Sequence, residues 1–441
     1  MDTRRKPPRV IGLGSAVLLN LNGVVGAGIF ALPALLYAGA GSLAPLAILA
    51  FALLSASLAA VFGKMSGLFS QSGGPQLYVE TAFGRFAGFE AGWCILGANI
   101  AARAANFHVI VSYLASVFPV FDDPVLRMAT ILALIALFTL LAISGTRRSV
   151  GALWVGTVLK LTPILALCLV GLAVNGLPDT YVAPQFSEVE ATALLLAYAF
   201  SGGGVSTISA GETKNPHRTV MWSMYINLAI VAALYALVLL AYVAVAPEGV
   251  NSDRPLAAAG EAVFGPAGGI LIALAAIFSI GTGQLNYFVT MPRIFYGMGC
   301  RGLLPARFAS VSDRFQTPWF AIAVYAVIVA FLALSGTFAS LAVLMVATET
   351  LVILVAIAAF VAMWRRNTGG LGSELGAGWA VIVAIALAFK AWLMAQVPLS
   401  AALPTLGILA VGGLVYMLAR HQGGDVEPIE IREAPQARAA S

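Results

Sequence analysis

Charge is what this 441-residue chain has least of. Asp, Glu, Lys and Arg together make up 10% of it, against roughly 25% in a soluble domain. Histidine occurs three times and cysteine three times. No HExxH pair and no Ser/His/Asp constellation is present, which excludes the common catalytic classes and argues against an enzyme. Cys94, Cys168 and Cys300 all fall in apolar stretches, so they form neither a disulfide framework nor a metal-ligand spacing. No catalytic residue, metal site or cofactor is assigned. A cleavable leader is also not expected, because the first apolar run is too long and has no small-residue cleavage site.

What is there instead is hydrophobic. Apolar residues make up 60% of the chain and the mean hydropathy is +0.94. A membrane-spanning helix needs about 20 apolar residues. Twelve stretches qualify: 10–38, 43–68, 84–118, 125–144, 150–175, 189–210, 220–246, 266–300, 318–335, 338–364, 377–397 and 402–420. The expected fold class is an all-α integral membrane protein of twelve transmembrane helices. Residues 1–9 form a short N-terminal segment, 10–420 the membrane domain and 421–441 a polar, disordered tail.

The net charge of +5 could suggest nucleic acid, but its distribution points to the bilayer. Counting loops alternately from the N-terminus puts 19 of the 24 Lys and Arg on one side, among them Lys64, Arg85, Arg147, Arg148, Lys214, Arg293 and Arg366. The opposite loops hold Arg127 and Arg254 with Asp122, Asp123, Asp179, Glu188, Glu190, Glu248, Asp253 and Glu261. That asymmetry is the positive-inside rule. It places both termini in the cytoplasm and the chain in the cell (inner) membrane.

Two spans are broken in the middle by glycine: Gly23-Val-Val-Gly-Ala-Gly-Ile-Phe30 and Tyr198-Ala-Phe-Ser-Gly-Gly-Gly-Val205. Lipid tolerates unpaired backbone only where it lines a cavity. Gly26 and Gly203 lie 177 residues apart, each in the opening span of a five-span half. An odd number of spans inverts the second half, giving a 5+5 inverted repeat over about 10–175 and 189–364. One interrupted helix in each half is a pointer to a midplane binding site. The plainer reading is that these glycines only allow kinks or close packing; two clusters at corresponding positions favour the site. The Gly23–Gly28 cluster lacks the strand-then-helix context of a dinucleotide loop.

Several short motifs together carry a family resemblance. They are Gly26-Ala-Gly-Ile-Phe30 with Leu32-Pro33, Lys64-Met-Ser66, Ser72-Gly-Gly-Pro-Gln-Leu-Tyr78 and Ala82-Phe-Gly84. Trp93, Lys160, Gly211-Glu-Thr-Lys-Asn-Pro216, Arg293 with Gly302-Leu-Leu-Pro305, and Thr317-Pro318 follow in order. From about residue 10 to 420 the chain resembles the amino acid–polyamine–organocation (APC) superfamily of permeases. The resemblance implies a LeuT-type fold, with broken helices 1 and 6, and secondary transport of amino acids by alternating access. Its partners would be an amino acid substrate, protons and the lipid bilayer, with no nucleic acid.

The residues of the expected site follow from both readings. The break at Gly26, Ala27, Gly28 and Ile29 exposes N–H groups at a half-helix N-terminus, which suits a carboxylate. The break at Ser201, Gly202 and Gly203 frees carbonyls, which suit an ammonium group. In the family an aromatic beside the second break covers the substrate, which points to Tyr198 and Phe200; Tyr287 is a further aromatic candidate. Asn99, Arg103 and Asn106 recur at helical spacing and share one face. A buried arginine needs a partner. Glu349, the acidic residue near mid-span, is the expected one, the two together forming a gate. The alternative is that Arg103 receives an acidic substrate side chain. Family members that exchange cations carry an acidic residue at the position of Gly204, so cationic substrates are not expected. Neutral amino acids are, with an acidic-substrate transporter, an exchanger or exporter, or a non-transporting sensor as alternatives.

Lys160 lies well inside the fifth span. Burial disfavours its charged form, so it is a candidate for proton coupling, and the resemblance implies the same role. The alternative is a structural lysine bonded to helix carbonyls. Lys390 is expected to snorkel outward, Glu212 and Lys214 to form a helix-end network, and His108 to serve packing.

Overall fold

The computed structural model describes residues 11–69, 73–145, 150–178, 186–208, 213–245, 253–300 and 304–419. The N-terminal segment and the tail lie outside the described residues, as do Arg147, Arg148, Asp179, Glu212 and Glu248. Among the described residues the regular elements are all helices, and an isolated β-bridge joins Ile11 and Thr213. The reason is the solvent. A backbone in hydrocarbon must satisfy its own N–H and C=O groups, and a helix does so within one segment.

The first span is two helices, α1 (Leu13–Val24) and α2 (Ala27–Ala40). Then come α3 (Ala44–Ser66), α4 (Pro75–Phe83), α5 (Arg85–Val117), α6 (Pro124–Ile143) and α7 (Val150–Asn175). The second broken span is α8 (Phe186–Phe200) and α9 (Val205–Ile208). It is followed by α10 (Pro216–Val245), α11 (Pro255–Phe264), α12 (Pro266–Thr290) and α13 (Pro292–Cys300). The last five are α14 (Trp319–Ser335), α15 (Phe338–Arg365), α16 (Leu371–Glu374), α17 (Gly378–Ala395) and α18 (Leu399–Ala419). Proline opens α4, α6, α10, α11, α12 and α13, where its missing N–H costs nothing and its fixed φ fits the first turn.

Both glycine clusters therefore interrupt their helices as expected. Among the described residues, nine helical stretches are long and apolar enough to cross a bilayer, and α1, α11 and α14 are shorter apolar helices. The stretch 266–300 is one of the nine, and its helix divides into α12 and α13 around Met291. Helices α4, α11 and α13 were not expected, because windows of twenty apolar residues pass over short helices.

Helix α5 is the centre of the molecule. Its faces pack on α4, α12, α14, α15 and α18, and its small residues Ala101, Ala104 and Ala105 are fully enclosed. The periphery is apolar and open: Leu53, Val125, Leu140, Val174 and Leu418 are all at least 67% exposed, which suits a lipid surface. Contacts between loops sort the two ends of the bundle. At one end, Arg366 donates to the Ala82 carbonyl (3.0 Å) and Thr317 to that of Ile143 (2.7 Å). At the other, Arg254 pairs with Asp122 (3.4 Å) and Arg127 with Asp253 (4.0 Å). These are the loops that alternate counting had grouped together.

Candidate functional site

The two breaks meet. Gly202 has φ +91°, and a Cβ there would run into the Gly23 carbonyl. Only glycine adopts that backbone without cost and leaves room for so close an approach. Below the breaks Asn20 ties the two spans. Its Nδ2 donates to Ser206 Oγ (3.0 Å) and Ser223 Oγ (3.3 Å), and its Oδ1 accepts from the Ser206 N–H (2.9 Å). Lys214 N–H donates to the Ile11 carbonyl (2.9 Å) beside the β-bridge.

Two cavities adjoin the breaks. The smaller, about 110 Å³, is lined by residues 22–28, Arg103, Asn106, Lys160, Tyr198 and Asn286 among others. The larger, about 210 Å³, is lined mainly by apolar side chains of α3, α5, α10 and α15, with Asn227 and Lys390. Asn99, Ser201, Gly202, Tyr287, Met345 and Glu349 line both, so the two share a wall.

The first turn of α2 begins at Ala27, so the N–H groups of Ala27, Gly28 and Ile29 have no carbonyl a turn earlier in their own helix. Gly26 differs: its N–H donates to the Val24 carbonyl (2.8 Å). Gly26, Ala27 and Gly28 line the smaller cavity, whereas the Ile29 side chain is buried in the apolar core. Lys160 reaches the same break. Its Nζ donates to the Val25 carbonyl (2.9 Å) and to Asn22 Oδ1 (3.0 Å). Asn22 in turn exchanges a hydrogen bond with Thr157, one turn from Lys160.

Arg103 is not paired with Glu349. Its Nη1 donates to Gln284 Oε1 (3.3 Å), Gln284 Nε2 donates back to the Arg103 carbonyl (2.8 Å), and the guanidinium lies 3.8 Å from the centre of the Tyr287 ring. The Asn106 amide satisfies all its neighbours with its oxygen toward Arg103 Nη1 (3.3 Å) and its nitrogen toward the Ala102 carbonyl and the Tyr198 hydroxyl. Glu349 accepts from Ser201 Oγ (2.7 Å), which fastens α15 to the unwound segment after α8. The expected pair is thus replaced by a cation–π and amide arrangement on one side and a carboxylate–hydroxyl bond on the other.

Tyr198 faces the smaller cavity and packs edge-on against Phe338 (5.7 Å between centroids). Phe200 and Gly203 face the larger cavity. Lys390 does not snorkel outward. It is 6% exposed and turned into the larger cavity, because Val383, Ala386, Phe389, Lys390 and Leu393 form the inner face of α17. His108 is buried, with its Nε2 bonded to the Ala333 carbonyl (2.9 Å). Sequence reasoning missed Asn20, Asn22, Asn227 and Gln284. The available signal was an amide inside an otherwise apolar helix, which lipid makes expensive.

A family model described as amino acid permease matches residues 11–418. The chain belongs to the amino acid permease family. The permease is 29% identical over 325 residues to the serine/threonine exchanger SteT of Bacillus subtilis, covering 71% of this chain and 73% of that one. It is 27% identical over 343 residues to the mouse cationic amino acid transporter 4, covering 72% of this chain and 54% of that one. The human cationic amino acid transporter 4 is 28% identical over 346 residues, again with 54% of its length covered. The permease thus spans about half the length of these two mammalian relatives. The family and these relatives are transporters, which gives the chain amino acid transport in a multi-pass membrane setting.

Proposed function

We propose that the chain is a secondary transporter of neutral amino acids, working by alternating access and coupled to protons through Lys160. The observation that carries this reading is the Lys160 ammonium bonded to the Val25 carbonyl at the break of the first span. A protonated lysine holds that carbonyl; a neutral one has lost a donor and the charge that strengthens the bond. Proton occupancy would then weight one conformation over another, which is all that coupling requires. The substrate carboxylate would meet the N–H groups opening α2, and its ammonium the carbonyls freed after Phe200. Glu349, through its bond to Ser201, would act in the gate.

Selectivity follows from charge. Arg103, Lys160 and Lys390 line the two cavities against one carboxylate, Glu349. A cationic side chain would enter a field already positive. Gly204 also leaves the unwound segment without an acid. The name of the SteT relative supports neutral substrates, and it supports exchange as a second reading of the driving force. The name of the mammalian relatives points to cations, but the charges lining these cavities oppose carrying it over. The two five-span halves would form an inverted repeat, with both termini on the cytoplasmic side of a cell membrane.

The test is uptake into proteoliposomes with a labelled amino acid panel, with and without a pH gradient, for the native chain and Lys160→Ala. The variant should retain counterflow and lose gradient-driven accumulation. Accumulation by the variant under a proton gradient alone would make Lys160 structural.

A further inference from the structure

Glu90, on α5, is a carboxyl group that the transport reading leaves unused. Both of its oxygens are enclosed, and among the described residues neither has a hydrogen-bond partner. They lie against the backbone of α18. A Cβ added at Gly412 would stand 3.0 and 2.7 Å from Oε1 and Oε2, and one added at Gly413 would stand 3.6 Å from Oε1. Bare glycine backbone therefore makes the seat, and Gly412 has no room for a side chain. Trp93, three residues further along α5, holds the same approach. Its Nε1 donates to the Ile408 carbonyl (2.9 Å), and its ring also bounds the space at Gly412. Tyr416, one turn past Gly412, packs on Phe86 and Phe89 (5.2 and 5.3 Å between centroids).

Among the described residues no cation pairs with Glu90. On α5, Arg85 is exposed at the first turn and Cys94 stands one turn beyond Glu90. Helix α18 carries no Asp, Glu, Lys, Arg or His, and its titratable side chain is Tyr416. From α4, Glu80 lies against Gly88, where its charge would oppose a second carboxylate. From α15, Arg365 is exposed and Glu349 is bonded to Ser201. Arg366, just past α15, is turned to the Ala82 carbonyl.

A carboxylate enclosed without a cation or a donor is costly enough that such a group neutralises instead. The enclosed oxygens leave space for a proton and nothing larger. We propose that Glu90 is a proton-binding site separate from Lys160: a neutral acid while α18 is seated on α5, which ionises when α18 lifts and water reaches the oxygens. One proton adds to a carboxylate oxygen on seating and returns to water on lifting. Helix α18 packs on both α5 and α15, the helices that bring Arg103 and Glu349 to the cavities. The seat therefore ties a proton to the packing of the helices that carry the candidate site. Low pH tightens it and high pH loosens it. The proposal stands on packing alone, whether or not Lys160 couples transport.

The experiment compares the full native chain with Glu90→Gln, which mimics the neutral acid, and Glu90→Met, which removes the polar group at similar length. Infrared spectra at about pH 7 should show the C=O stretch of an enclosed protonated carboxyl in the native chain and its loss in both variants. The proton is held in the folded chain and released on unfolding, so rising pH favours unfolding. Between about pH 5 and about pH 8 the native folding equilibrium should fall by up to about tenfold per pH unit more than that of either variant, read as a steeper drop in the thermal midpoint. A native chain with no protonated-carboxyl band at that pH overturns the proposal, and this needs no variant to fold. A band that survives in folded Glu90→Gln or Glu90→Met overturns it too, as does a native midpoint that follows pH no more steeply than theirs.

Discussion

Gly26 separates the binding role of the first break from its folding role. A Cβ added at Gly26 meets no atom within 4 Å, and the residue sits in the wall of the smaller cavity with φ at −132°. Gly26→Ala should therefore fold normally, with a stability change of about 1 kcal/mol or less. A carboxylate held by the N–H groups that open α2 would be pushed away by the new methyl. Loss of one hydrogen bond to a charged acceptor costs about 1.5–3 kcal/mol. At 1.4 kcal/mol per decade that is roughly a 10- to 150-fold weaker apparent affinity. Gly26→Leu should abolish uptake. The assay is concentration-dependent uptake in proteoliposomes, with thermal unfolding and size-exclusion profiles alongside. A folded Gly26→Leu with native affinity would show that no substrate group approaches this backbone. Gly28 is a poorer test, since a Cβ there would lie 2.6 Å from the Tyr235 hydroxyl.

Gly202→Ala should fail in folding rather than binding: it combines φ +91° with a collision against the Gly23 carbonyl. Strain at such a position costs on the order of 1–3 kcal/mol, and a lowered midpoint in thermal unfolding checks it. Asn20→Ala leaves the Ser206 N–H without its acceptor and Ser223 Oγ without the Asn20 donor, while Ser206 Oγ keeps only its bond from Ser223 Oγ; about 1–3 kcal/mol per stranded group predicts a marked loss of folded yield, and a yield equal to native would contradict this account. Arg254→Ala removes a partly exposed ion pair with Asp122 and should change stability by no more than about 1 kcal/mol, read in the same unfolding assay. Strong competition by arginine, lysine or agmatine, with none by neutral amino acids, would refute the selectivity argued from Arg103, Lys160 and Lys390.

What could be read from the sequence, and what could not, divides along a physical line. The broken helices were legible because clustered glycine weakens a helix just where lipid demands one. Lys160 was legible because a charge inside a span is costly enough to require a reason. Partnerships were not. Arg103 and Glu349 were matched by sign, but Gln284 and the Tyr287 ring came nearer the guanidinium, and no spacing rule reports which helices stand side by side. Lys390 was expected to snorkel toward the outer interface, as a long cationic side chain in an apolar span does. Only the packing of α17 against α3 and α15 reveals that its face with Phe389 and Leu393 is the inner one.

The ties between α1 and α9 have a mechanical consequence. The bridge from Ile11 to Thr213 and the bonds from Asn20 to Ser206 clamp the two short half-helices on one side of the breaks at two separate heights. They cannot swing independently without tearing buried polar bonds. Between Val24 and Ala27, and between Phe200 and Val205, the helix ladder is interrupted. The pair then behaves as one lever with a double hinge, and the Lys160–Val25 bond sits on one of the hinge pins. Under the proposed coupling, a proton gained or lost at Lys160 would bear on both half-helices through these ties.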